Sequence, residues 1–177
     1  MPVLAAFVLL GLQTKPAPID AYARSIDKMP LKHRYFGDAA GENGPPMWAE
    51  FPTMKDLNGA AEGGKVYTAC VTGWSRGKLL LATFTFSSPS GDWARFVNYY
   101  YRPDGTLAKR DGSFSFLPGN YIIREVDRYA IRKLLSRTFE YRDLNTNKPL
   151  RHHVQSPMPD APVYRTTASL PFFGLLR

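Results

Sequence analysis

Proline placement constrains this chain more than any other feature of its sequence. Of fifteen prolines, seven lie in residues 1–64 and five in 145–177, leaving three for the whole stretch 65–144. Those three, Pro89, Pro103 and Pro118, each stand among Ser, Gly, Asp or Asn, in turn-like surroundings. Proline has no N–H to give to a strand ladder, so its exclusion elsewhere predicts a β-sheet over 65–144.

Glycine and leucine spacing divides that sheet into hairpins. Gly77, Gly105 and Lys133 recur at an interval of 28 residues, as do Leu79, Leu107 and Leu135, each at the start of a return strand. In the second copy, 96–101 runs into Arg102-Pro-Asp-Gly105 and returns through Thr106-Leu-Ala-Lys109. Pro103 presets the turn, Asp104 favours it, and Gly105 is free to adopt the left-handed conformation of a bulged hairpin. The motif Tyr99-Tyr-Tyr101, Asp104-Gly105, Leu107-x-Lys109 resembles the short hairpin repeats of MORN-like proteins over those residues alone, and it implies a hairpin and nothing further.

The first copy turns at Ser75-Arg76-Gly77 between 66–72 and 79–86. The third, 122–130 to 134–141, has no turn residue, and Ile122, Ile123, Val126, Ala130 and Leu134 also share one helical face. A helix over 122–136 therefore competes with a hairpin, and the repeat favours the hairpin. The expected fold is α+β: an antiparallel meander of about six strands, 65–144, forming a curved sheet. Part of 18–64 should pack on it as one or two helices. One has Ile19, Tyr22, Ala23 and Ile26 at helical spacing within 19–34, with Asp20 as N-cap; another is opened by Thr53-Met-Lys-Asp56 and stopped by Gly63-Gly64. Residues 37–46 read as a loop. The apolar, proline-rich tail 145–177 should strap across the sheet, making 18–177 a single domain.

Residues 3–12 are an unbroken apolar run. A membrane-spanning helix needs about 20 such residues. Ten suit the apolar core of a secretory signal peptide, so 1–17 is expected to be a leader and the protein exported, to the periplasm or beyond. Two features pull the other way: no Lys or Arg precedes the run, and the small-x-small cleavage pattern is poor. A buried N-terminal strand or helix is the alternative. No Cys follows the run, which argues against lipoprotein anchoring. The single cysteine, Cys70, excludes a disulfide framework and lies in a strand-like run, as a small buried hydrophobe.

Charge is concentrated. Of the formal net charge of +8, residues 93–153 hold twelve Lys/Arg against six acids. If Arg102 pairs with Thr106 and the ladder continues without interruption, Tyr99 opposes Lys109 and Asn98 opposes Arg110. One face then gathers Arg95, Val97, Tyr99, Tyr101, Leu107 and Lys109, and the other Phe96, Asn98, Tyr100, Ala108 and Arg110. Together with Arg124, Arg128 and Arg132, these side chains suggest a basic, tyrosine-rich surface for an anionic envelope polymer or a partner protein. Expected export disfavours nucleic acid. The competing reading is a solvated sheet whose charges prevent edge-to-edge association.

Catalytic patterns fail on context. Gly73-Trp-Ser-Arg-Gly77 matches G-x-S-x-G, with His152 or His153 and Asp104, Asp111 or Asp127 as formal partners for Ser75. That elbow needs a helix after the serine, whereas Lys78-Leu-Leu-Leu-Ala-Thr-Phe-Thr-Phe86 reads as a strand. His152-His153 would point to opposite sides of an extended segment, so no metal site is expected. Neither Gly63-Gly64 nor 73–77 continues as a phosphate-binding loop, and no cofactor is expected. Glu50 and Asp92 could act as an acid/base pair only if the fold joined them. The expectation is a non-catalytic binding or structural protein. Its alternatives are a carrier holding an apolar ligand between sheet and helix, against Leu79, Leu81, Phe84 and Phe86, and a serine hydrolase using Ser75.

Overall fold

Three turns set the topology, and each takes its left-handed residues differently. Arg76 and Gly77 (φ 49° and 73°) make a two-residue turn between β3 (Thr68–Ser75) and β4 (Lys78–Ser87). Gly105 (φ 82°) ends the loop between β5 (Trp93–Tyr101) and β6 (Leu107–Phe116), where the Asp104 carboxylate accepts from the Thr106 N–H and hydroxyl at 2.9 and 2.7 Å. Ile131 (φ 53°) turns β7 (Tyr121–Ala130) into β8 (Lys133–Asp143), a position no glycine marks in the sequence. Residues 121–143 are therefore a hairpin, and the competing helix over 122–136 does not form.

The computed structural model describes residues 16–40, 44–131, 133–151, 153–154, 156–157 and 160–176. The apolar run 3–12 and residues 1–15 of the expected leader, along with Arg132 and His152, lie outside them, while Pro16 and Ala17 are helical. Among the described residues no helix is long and apolar enough to cross a membrane.

The sheet has eight antiparallel strands, not about six. The additions are β1 (Lys32–Asp38) and β2 (Trp48–Phe51), which extend the meander beyond β3 in the order β2-β1-β3-β4-β5-β6-β7-β8. The first helix, α1 (Pro16–Asp27), consequently stops short of residue 34, and Lys32–Asp38 is strand instead. The second, α2 (Met54–Glu62), begins as expected: Thr53 Oγ1 accepts from the Asp56 N–H and donates to the Asp56 carboxylate.

The hairpins β3–β4, β5–β6 and β7–β8 each carry one bulge near the turn. Trp74 faces Leu79 while Gly73 faces Leu81, leaving Leu80 extra. Tyr101 and Tyr100 face Leu107 and Lys109, leaving Ala108 extra, and Tyr129 and Arg128 face Leu134 and Ser136, leaving Leu135 extra. The 28-residue repeat in the sequence is the imprint of this shared hairpin-plus-bulge unit, offset by one residue in the third copy.

The two faces are covered differently. On the outer face Ala23 and Ile26 of α1 are buried against Leu80 and Tyr100, and Ile19 of the same helix is also buried. Leu80 reaches that face because the bulge places it beside Leu81 instead of opposite. On the inner face the tail lies over an aromatic core: Phe172 stacks on Phe36 at 4.3 Å, and Phe84 packs against Trp48, Phe86, Tyr99, Tyr164 and Phe172. Tyrosine hydroxyls stitch the tail down, Tyr99 donating to Pro162 O and Tyr101 to Tyr164 O. Leu107 N–H donates to Arg165 O at 2.9 Å. Burying one such ring contributes about 1.5–3 kcal/mol, so the tail is part of the core.

Candidate binding pocket

Pairing across β5–β8 sets inner-face residues in rows. Tyr99, Arg110, Asp127 and Arg137 form one; Val97, Gly112, Glu125 and Phe139 the next; Arg95, Phe114, Ile123 and Tyr141 the third. The tail closes the first row through Ala161. The second and third rows remain open as a cavity of about 260 Å³, bounded on the tail side by Val154, Ser156, Asp160 and Ala161.

Row one is a buried ion cluster. Arg110 is 1% exposed and Asp127 0%. Asp127 accepts from Arg110 Nε (3.1 Å), from Arg137 Nε and Nη2 (2.7 and 2.9 Å), and from the Tyr129 hydroxyl (2.9 Å). Arg110 also donates to Ala161 O at 3.0 Å and sets Nη2 against Glu125 Oε1, which Arg137 Nε approaches to 3.1 Å. Burial alone would raise Asp127, but the hydrogen bonds from Arg137 and Tyr129 and the Arg110 charge outweigh it and hold the carboxyl below its ordinary range. Glu125 goes the other way: burial lifts it above the usual value despite Arg110. Burial likewise pushes Tyr129 up to about 12.

The open rows are mostly apolar. Gly112 sits mid-strand with no side chain, and a methyl group there would find its nearest neighbours at 3.8 Å. Interior glycine weakens a strand and marks places where something approaches the backbone closely. Around it stand Val97, Phe114, Ile123 and Tyr141, with Phe139 47% exposed although it faces inward. The Arg95 guanidinium lies over the Phe114 ring, 4.8 Å from its centre.

The residues singled out in the sequence do not share one surface. The bulge at Ala108 exchanges two of them: Arg110 opposes Tyr99 on the inner face, and Lys109 opposes Tyr100 on the outer face, the reverse of an uninterrupted ladder. Tyr99 and Tyr101 are fully buried beneath the tail. On the outer face Lys109 and Arg128 both pair with Asp20 of α1, at 3.5 and 3.0 Å. Arg124 is exposed opposite Glu140, and Arg132 lies outside the described residues. Among the described residues, Arg95, Val97 and Arg110 of that set reach the pocket. Gly112, Glu125, Phe114, Ile123, Phe139 and Tyr141 were not anticipated; the glycine inside a strand was the one available signal.

The other chemical patterns come apart. Ser75 leads through a two-residue turn into β4, not into a helix, and His153 packs edge-on against Tyr141 of the distant β8. Glu50 is held by Arg34 in a bidentate pair at 2.7 Å, while Asp92 takes the Ser90 hydroxyl in the β4–β5 loop. Leu79, Phe84 and Phe86 lie in the core beneath the tail and Leu81 on the opposite face, so the four do not share one surface, and Leu79 borders a hollow at the turn end. Among the described residues no group of three or more His, Cys, Asp or Glu could hold a metal ion. A second hollow, about 270 Å³, lies at the turn end between Gly77, Pro103, Gly105 and Phe173. No family model matches the chain, and neither does any curated protein or solved structure.

Proposed function

We propose that this chain is a binding protein without chemistry of its own, and that its ligand is a small molecule seated on the inner face over Gly112. The observation that carries the reading is the coincidence of a side-chain-free position in the middle of β6 with apolar walls and a few converging charged groups. A pocket of that composition is the usual form of a ligand site. The filled aromatic core beside it gives the pocket a rigid wall, and three bulged hairpins hold its floor in register. An extended anionic polymer is the weaker alternative, because Lys109 and Arg128 would have to leave Asp20 to meet it.

Gly112→Leu tests the proposal. The new Cβ meets nothing nearer than 3.8 Å, and the rest of the leucine occupies cavity volume above the strand. In a thermal-shift screen of small molecules, compounds that stabilise the natural protein should lose their effect on the variant. Stabilisation that persists in Gly112→Leu, or a screen with no stabilising compound, would refute it.

A further inference from the structure

We infer that the ligand is a neutral, flat ring bearing an N–H or O–H donor on its edge, held over Gly112 with that donor on the Glu125 carboxylate. This rests on the pocket being the binding site and adds to it the ligand's chemical class.

Charge decides the first part. Among the described residues the pocket wall carries two guanidiniums, Arg95 and Arg110, and two carboxylates, Glu125 and Asp160. Arg110 is already engaged by Asp127, Glu125 and Ala161 O. Burial works against the Arg95 charge, Asp160 and Glu125 favour it, and Arg110 opposes it. A ligand anion would add to the two carboxylates and a ligand cation to the two guanidiniums, and an uncompensated charge taken out of water is costly. A neutral ligand disturbs neither pair.

Hydrogen bonding decides the second. Glu125 Oε1 is flanked by Arg110 and Arg137. Neither oxygen of Glu125 accepts a hydrogen bond of normal geometry among the described residues, Oε1 being buried without one, and the side chain, 15% exposed, lines the pocket. An ionised carboxylate accepts on both oxygens, so a bound molecule completes the group by presenting a donor.

Shape supplies the rest. Gly112 leaves the strand bare in a pocket that Phe114, Ile123 and Phe139 also line, and nearly half of Phe139 remains uncovered. A planar ring covers that surface by offset or edge contact. The volume, about 260 Å³, lies just under the range of drug-sized sites, roughly 300–1,000 Å³, so the ring system is small.

The test is calorimetric titration of the full chain at neutral pH with indole, 1-methylindole, benzoate and benzylammonium. Indole should bind about tenfold more tightly than 1-methylindole, which has the same ring without the donor, a ratio typical of one hydrogen bond to a charged group. Benzoate and benzylammonium should bind more weakly still. Glu125→Gln should erase most of the indole advantage and leave 1-methylindole unchanged. Equal binding of the two indoles, or preference for either ion, overturns the inference. The indole comparison is made on the natural protein, so it stands even if the Gln variant misfolds. If none of these four binds while larger compounds lose binding in Gly112→Leu, the ligand class is wrong and the pocket reading survives.

Discussion

Asp127→Ala should be among the most damaging single substitutions in this protein. It removes the acceptor of four hydrogen bonds and leaves Arg110, 1% exposed, with a charge that only Glu125 and a carbonyl still compensate. Arg137, more than a third exposed, turns to water at little cost. Breaking a buried pair from one side costs about 3–5 kcal/mol, against a total stability of about 5–15 kcal/mol. Urea unfolding followed by tryptophan fluorescence reads the loss. With a slope of about 2 kcal/mol per molar, the midpoint falls by roughly 1.5–2.5 M. The double variant Arg110→Met, Asp127→Leu removes both charges and should be more stable than Asp127→Ala, because paired burial is replaceable by apolar packing. The pH dependence has a defined sign. Asp127 is held below its ordinary value, so its contribution is complete above about pH 4 and is lost as pH falls towards its lower folded value. The gap between natural protein and Asp127→Ala should therefore narrow below pH 4. Glu125, raised by burial, acts oppositely: its contribution is complete below its unfolded value and lost as pH rises through the folded one. A loss under about 1 kcal/mol, or a double variant worse than the single, would refute the reasoning.

Gly105→Ala should cost about 1–2 kcal/mol for the left-handed backbone, plus the displacement of Thr167, whose Oγ1 stands 2.8 Å from the new methyl. Gly91→Ala (φ 75°, nothing within 4 Å) should show the backbone part alone, and equal urea midpoints for the two would contradict the tail contact. Cys70 is fully buried and burial raises its thiol, so a thiol reagent should label it only after denaturant unfolds the sheet; rapid native labelling would count against the core assignment. Thr53→Ala removes the N-cap of α2 and should lower stability by about 1 kcal/mol, measured by the same unfolding.

The three hairpins were readable because their turns and leucines repeat, and the proline gap marks where strands must run. The first two strands were not. Lys32-His-Arg-Tyr-Phe-Gly-Asp38 carries three charged residues in seven, Lys32, Arg34 and Asp38, and shows no alternation of apolar with polar residues, since Arg34 and Asp38 share the inner face with Phe36. The helix signal next door, Ile19 to Ile26, then spills over it. The candidate site was lost by one residue. A bulge has no residue signature of its own, yet Ala108 reverses the faces of Lys109 and Arg110, turning an apparent surface cation into a fully buried one paired with Asp127. Concentrated positive charge was read correctly as composition, but carboxylates brought from α1 and β7 neutralise much of it, a pairing only the fold creates.

Crystals soaked with a library of small aromatic fragments test the central claim most directly. The account predicts fragment density on the inner face above Gly112, flanked by Phe114 and Phe139. Density confined to the turn-end hollow between Gly77 and Gly105, or to the outer face around Phe96, would contradict it.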